Sequence, residues 1–314
     1  MKLKLKKNVK IFLIGILIGI FVLSYGINKY KEYKYHQTNE YKLTLSGYTV
    51  KEAQKLEKKL SKENVEGLIN KKKNEFVLKL IDEKYFMEKN LSRYIDYNNE
   101  NKEISISDVV AIVNVGADQD WYETIVETDL SKENAILVNK FHCINNYAPE
   151  DLESISIQFA YSGHTIRKEV NEAYNDMANQ AKKEGILLIV SSSYRSFERQ
   201  QAIYKDFYYS KGQTYADAYA AREGHSEHQT GLALDIFSPD GTTTSTFENT
   251  QAYEWLIKNA HNYGFILRYP KDKTYITGYE YESWHFRYLG KELATKVYNE
   301  GITFDEYYAY YLDN

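Results

Sequence analysis

The chain has 314 residues, with 40 Lys and Arg against 44 Asp and Glu, for a formal net charge of −4. The two signs are interspersed, so there is no basic stripe for a nucleic acid and none is expected as a partner. A single cysteine, Cys143, excludes an intramolecular disulfide framework.

In chain order, Lys2, Lys4, Lys6, Lys7 and Lys10 precede an uninterrupted apolar stretch at 11–25 that runs on through Gly26 and Ile27. Such a stretch is a secretory signal or a membrane anchor, although it is a little short of the about 20 residues of a full span. No small-x-small cleavage site follows it, and no cysteine stands there for a lipoprotein anchor. We therefore expect an uncleaved signal anchor over 1–27 rather than a cleaved signal peptide. The clustered lysines stay cytoplasmic by the positive-inside rule, which puts the C-terminal bulk outside a cell membrane crossed once.

A polar tether, rich in Lys, Tyr and Asn, is expected over 28–46. Residues 47–134 should hold a small helical module acting as stalk or spacer, with peptidoglycan contact as its alternative role. Its clearest helix starts after Thr49, where Ala53, Leu56 and Leu60 make one apolar stripe. From Val109 the pattern changes to short strands, expected at 109–115, 155–159, 187–191, 231–237, 265–268 and 285–289. The clearest helices between them are at 166–183, 197–211 and 250–263. This mixture indicates an α+β domain over 135–314, an antiparallel sheet flanked by helices, long enough to bury its own core. Cys143 beside His142 invites a nucleophile or a metal ligand, but a lone cysteine is more often a small buried apolar residue.

The chemistry is concentrated in two short segments. Ser226-Glu-His228-Gln-Thr-Gly231-Leu-Ala233-Leu-Asp235 and Glu282-Ser-Trp284-His285 together offer two imidazoles and a carboxylate for a metal, with one carboxylate left over. Catalytic zinc takes three protein ligands from this pool and keeps a position for water, whose pKa falls to about 7. The roles assigned are His228, Asp235 and His285 as ligands to Zn2+, and Glu282 as general base. His228 and Asp235 are seven apart, so one regular strand would point them to opposite faces. Gly231 can break the strand between them. Glu282 and His285, three apart, share a face on a turn that leads into the strand at 285–289.

These segments resemble the VanY-type zinc D-alanyl-D-alanine carboxypeptidases and their L,D-carboxypeptidase relatives. The Ser-x-His-x-x-Gly-x-Ala-x-Asp pattern is matched at Ser226, His228, Gly231, Ala233 and Asp235, and Glu-x-Trp-His at Glu282, Trp284 and His285. A Ser-x-Tyr-Arg-Ser element stands at Ser192 to Ser196, with Gln200 one helical turn on. Leu137-Val138-Asn139-Lys140, followed by Tyr147, Pro149 and Leu152, looks like the opening of the same domain. The resemblance covers about 135–300. It implies a zinc peptidase that removes the terminal D-alanine from peptidoglycan stem peptides. It also implies that Arg195 holds the oxyanion or the terminal carboxylate, with Ser193, Gln200 and Ser226 as further substrate contacts. L,D-carboxypeptidase action, cross-link endopeptidase action, and a non-catalytic wall-binding module are the alternatives. The presence of every ligand, the base and Arg195 speaks against the last.

Overall fold

The computed structural model describes residues 7–313 apart from 242 and 244, so the first six residues of the expected anchor lie outside the described residues. The chain divides into two compact units, Met1–Val110 and Ala111–Asn314.

The first unit begins with the helix Lys7–His36, 30 residues long with none buried, which spans about 45 Å at the usual rise per residue. It outruns the expected apolar stretch because no glycine or proline follows until Gly47. Most residues read as a tether are therefore helical, in this helix and in Asn39–Leu45. The helix Val50–Lys59 starts on a complete capping box between Thr49 and Glu52 and buries Ala53 and Leu56.

Residues 109–115, expected as a strand, are instead the end of the helix Ile106–Val115. Ser105 accepts a hydrogen bond from the Asp108 N–H at 3.1 Å, a start signal at the helix N-terminus. Val109 to Val113 are all buried, and a continuously apolar run does not distinguish helix from strand. The strand expected at 155–159 is also absent. Pairing ends at Ser154, and a turn closes with the Phe159 N–H on the Ser156 carbonyl at 2.9 Å.

The second unit mixes helices with a four-stranded antiparallel sheet built from β1 (Ile189–Ser192), β2 (Ala233–Phe237), β3 (Phe265–Leu267) and β4 (His285–Tyr288). Their order across the sheet is β1-β2-β4-β3. Two short pairs stand apart from it, Val126–Glu127 with His142–Cys143 in parallel and Leu152–Ser154 with Thr165–Arg167 antiparallel.

Register explains why this sheet has one apolar and one polar face. Leu234 pairs with Phe286, and Phe286 with Leu267. Leu234, Ile236, Phe265, Phe286 and Tyr288 pack in one core with Tyr174 and Met177 of the helix Lys168–Lys183 and Leu256 of the helix Gln251–Asn259. Asp235 pairs with His285, and Ala233 with Arg287. Directly opposed residues share a face and alternate residues return to it, so Asp235, His285 and Arg287 stand together on the other side.

Candidate active site

Three segments meet on that polar face. The residues Glu227 to Thr230 form a 3₁₀ turn closed by Gly231 in the left-handed region at φ 68°, a conformation that favours glycine. A Cβ there would lie 2.8 Å from Arg167 Cγ. The turn reverses His228 toward β2, which removes the parity problem of its seven-residue distance from Asp235. At the other end, the His285 N–H donates to the Glu282 carbonyl at 3.3 Å, so Glu282 curls back over the first residue of β4.

The result is a tight constellation. His228 Nε2 and His285 Nδ1 lie 3.4 Å and 3.3 Å from Asp235 Oδ1, and Glu282 Oε2 lies 3.4 Å from His285 Nδ1. One ligand atom from each of His228, Asp235 and His285 falls within 4.8 Å of the others. The far nitrogens are engaged: His228 Nδ1 meets the Ser193 carbonyl at 2.8 Å, and His285 Nε2 meets Glu227 Oε2 at 3.3 Å. A carbonyl oxygen only accepts, so His228 carries its proton on Nδ1 and turns its Nε2 lone pair inward. Asp235 Oδ1 is buried with no hydrogen-bond partner. Two imidazole nitrogens around a buried carboxylate oxygen without a hydrogen-bond partner could hold a cation, and this mixed nitrogen and oxygen set suits zinc.

Electrostatics separate the roles. Burial pushes the His228 imidazole down, toward its neutral form. Burial also opposes ionisation of Asp235, but the two imidazoles outweigh it and hold its carboxyl well below the usual range. In the metal-free protein, burial works against the charge on His285, yet the flanking Asp235 and Glu227 carboxylates prevail and raise it to about 9. Burial pushes Glu282 up to about 7, which suits a group that takes and returns a proton near neutrality.

A cavity of about 210 Å³ opens over these residues, and Arg195, Gln200, Ser226 and Trp284 also line it. Arg195 donates to Gln200 Oε1 at 2.8 Å and to Ser192 Oγ at 2.9 Å. Gln200 stands on the helix Phe197–Lys211, where it steadies the guanidinium and donates to the Ala221 carbonyl at 2.6 Å. Ser193 does not line the cavity; its carbonyl holds His228, and its hydroxyl lies 3.2 Å from His164 Nδ1. Trp284 stacks on Phe237 with ring centroids 6.2 Å apart. His142 and Cys143 sit apart, on their own short strand.

Glu227, Arg268 and Arg287, none of them singled out in the sequence, form a fully buried cluster behind His285. One signal was available: Arg287 lies two residues beyond His285 on a strand and so shares its face. Lys140 is buried too, with its ammonium 4.7 Å from the Tyr279 ring centroid, and burial lowers it to about 8. Tyr279 in turn lines the cavity.

A mixed sheet and helix unit in which two histidines and an aspartate could hold a metal, with a glutamate beside them, fits a zinc-dependent hydrolase. Comparison with known proteins narrows the class. Residues 163–291 match the VanY family, described as D-alanyl-D-alanine carboxypeptidase. YodJ of Bacillus subtilis (strain 168), named as a carboxypeptidase, is 41% identical over 191 residues, 58% of this chain and 70% of its own length. A D-alanyl-D-alanine carboxypeptidase of Enterococcus faecalis (strain ATCC 700802 / V583) is 39% identical over 188 residues, 57% of this chain and 67% of its own. The solved structure of the LD-carboxypeptidase LdcB is similar with a TM-score of 0.57 and 38% identity, covering 60% of this chain and 91% of that one. The chain belongs to the VanY family and is a zinc carboxypeptidase.

Proposed function

We propose that this enzyme removes the terminal D-alanine from peptidoglycan stem peptides, with His228, Asp235 and His285 holding the zinc and Glu282 acting as general base. The observation that carries this reading is the convergence of His228 Nε2 and His285 Nδ1 on the orphaned Asp235 oxygen, beside Glu282 in the same cavity as Arg195. Bound there, zinc supplies Lewis acidity and lowers the pKa of a water to about 7. Glu282 accepts the proton of the attacking water and returns it to the leaving amine. Arg195, oriented by Gln200 and Ser192, offers a planar fork that fits the terminal carboxylate or the developing oxyanion with two hydrogen bonds. Ser226 contributes to the cavity wall, and Ser193 acts through the carbonyl that fixes the His228 tautomer.

The helix Lys7–His36 is the one candidate membrane span among the described residues, and we take it as an uncleaved anchor that keeps the catalytic unit on the outer side of the membrane. L,D-carboxypeptidase action on tetrapeptide stems is the second reading, favoured by the likeness to LdcB.

Incubating the full-length protein with cell-wall peptides and reading the products by mass spectrometry tests both. Loss of one alanine from pentapeptide stems is expected. Loss confined to tetrapeptides would replace the first reading by the second, and cross-link scission alone, or no change, would overturn both.

A further inference from the structure

Glu227 occupies a position that the proposed chemistry does not use. It is 1% exposed, and its two oxygens do different work. Oε1 accepts from Arg268 Nε and from Arg287 Nη1, each at 2.7 Å, while Oε2 faces His285 Nε2 at 3.3 Å. The arginines are themselves tied down. Arg268 pairs with Asp305 near the start of the helix Phe304–Tyr311, and Asp305 also accepts from Asn139 Nδ2 at 2.8 Å. Arg287 donates to the carbonyls of Asn134 and Ile136 at 3.0 Å and 2.7 Å. With Oε1 saturated by two charged donors, Oε2 is left as an acceptor aimed at one imidazole nitrogen.

We propose that Glu227 is a positioning residue that keeps the His285 proton on Nε2, so that Nδ1 is the nitrogen presented to zinc. This rests on the ligand set proposed above. The two histidines would then bind the metal through opposite nitrogens: His228 through Nε2, because its Nδ1 donates to the Ser193 carbonyl, and His285 through Nδ1. Hydrogen-bond bookkeeping says what removing the charge does. A glutamine at 227 has one acceptor and one donor; the two arginines claim the carbonyl oxygen, which turns the amide NH₂ toward His285 Nε2. That nitrogen must then accept, and the proton moves to Nδ1, the nitrogen that faces the metal.

The test uses the full-length protein in detergent, labelled with ¹⁵N-histidine and loaded with ¹¹³Cd in place of zinc. Two histidines should couple to the metal, one through each type of ring nitrogen, and the one coupled through Nδ1 should carry a proton on Nε2. Coupling of both through Nε2 would overturn the proposal. A number of coupled histidines other than two would instead overturn the ligand set. Glu227→Gln, measured for zinc by chelator competition, should bind about 10- to 100-fold more weakly, the usual effect of losing a partner that orients a ligand. A folded Glu227→Gln protein with unchanged zinc affinity would sink the idea, and should that variant not fold, a wild-type spectrum in which the Nδ1-coupled histidine lacks its Nε2 proton overturns it as well.

Discussion

His285 stands between two glutamates, and the same side chain behaves in opposite ways on its two sides. On the cleft side Glu282 lies 3.4 Å from Nδ1; on the buried side Glu227 lies 3.3 Å from Nε2. Burial opposes ionisation of both. For Glu282 burial prevails and its pKa rises to about 7, with the Asp235 charge adding to the effect. For Glu227 the Arg268 and Arg287 guanidiniums outweigh burial and hold the carboxyl well below the usual range. Arg195 also lines the cleft, but it donates to Gln200 and Ser192 rather than to Glu282. One carboxylate is thus left able to trade a proton and the other is locked as an anion. What separates them is the number of cations within hydrogen-bond reach.

The largest effect that would break this comparison is kinetic. Glu282→Gln keeps the shape of the cleft but cannot accept a proton, so turnover of a D-alanyl-D-alanine stem peptide should fall by about 10² to 10⁴ while zinc stays stoichiometric. His228→Ala and His285→Ala should lose the zinc itself. Metal analysis alongside single-turnover kinetics tells these apart, and near wild-type turnover in zinc-loaded Glu282→Gln would remove Glu282 as the base.

A smaller effect concerns stability of the metal-free protein against pH. Because the folded value of Glu282 is raised from 4.5 to about 7, the native state holds a proton in that window that the unfolded chain has released. Its contribution therefore turns destabilising as pH rises through the window. Glu227 has the opposite sign: its lowered folded value stabilises the protein above the ordinary carboxylate range, and that contribution is lost only in acid, as pH falls through the lowered value. Thermal melts should show Glu282→Gln raising the Tm at pH 8 and leaving it nearly unchanged at pH 5. Glu227→Gln should lower the Tm at both, since it leaves the buried Arg287 with carbonyl partners only and Arg268 with Asp305 alone. Parallel responses from the two variants would contradict the division drawn here.

The smallest expected effect is on catalysis by removal of residues 1–36. Both glutamates and all their partners lie in the second unit, so kcat/KM on a soluble stem peptide should stay within about twofold, well under 1 kcal/mol, while the protein leaves the membrane fraction. N-terminal sequencing of the intact protein from its native membrane checks the anchor directly, and a chain beginning near Asn28 and free in the medium would show a cleaved signal instead.

Much of the centre is legible in the linear chain because its determinants are local. Gly231 and Glu282 each sit within a few residues of a proposed ligand, and the turn each makes follows from glycine's freedom at positive φ or from a three-residue spacing. The helix Phe197–Lys211 was readable to the residue, since Ser196 caps it by accepting from the Arg199 N–H and Gly212 ends it. Only the tertiary structure decided that 106–115 is helical, because Val109 to Val113 are buried throughout and no alternation marks one face. Only the fold, likewise, decided what Glu227 does. The character of a buried carboxylate depends on the charges brought to it, and these come from Arg268 and Arg287, 41 and 60 residues away, with Asp305 beyond Arg268. No local pattern encodes that meeting; the register of β4 against β2 and β3 does.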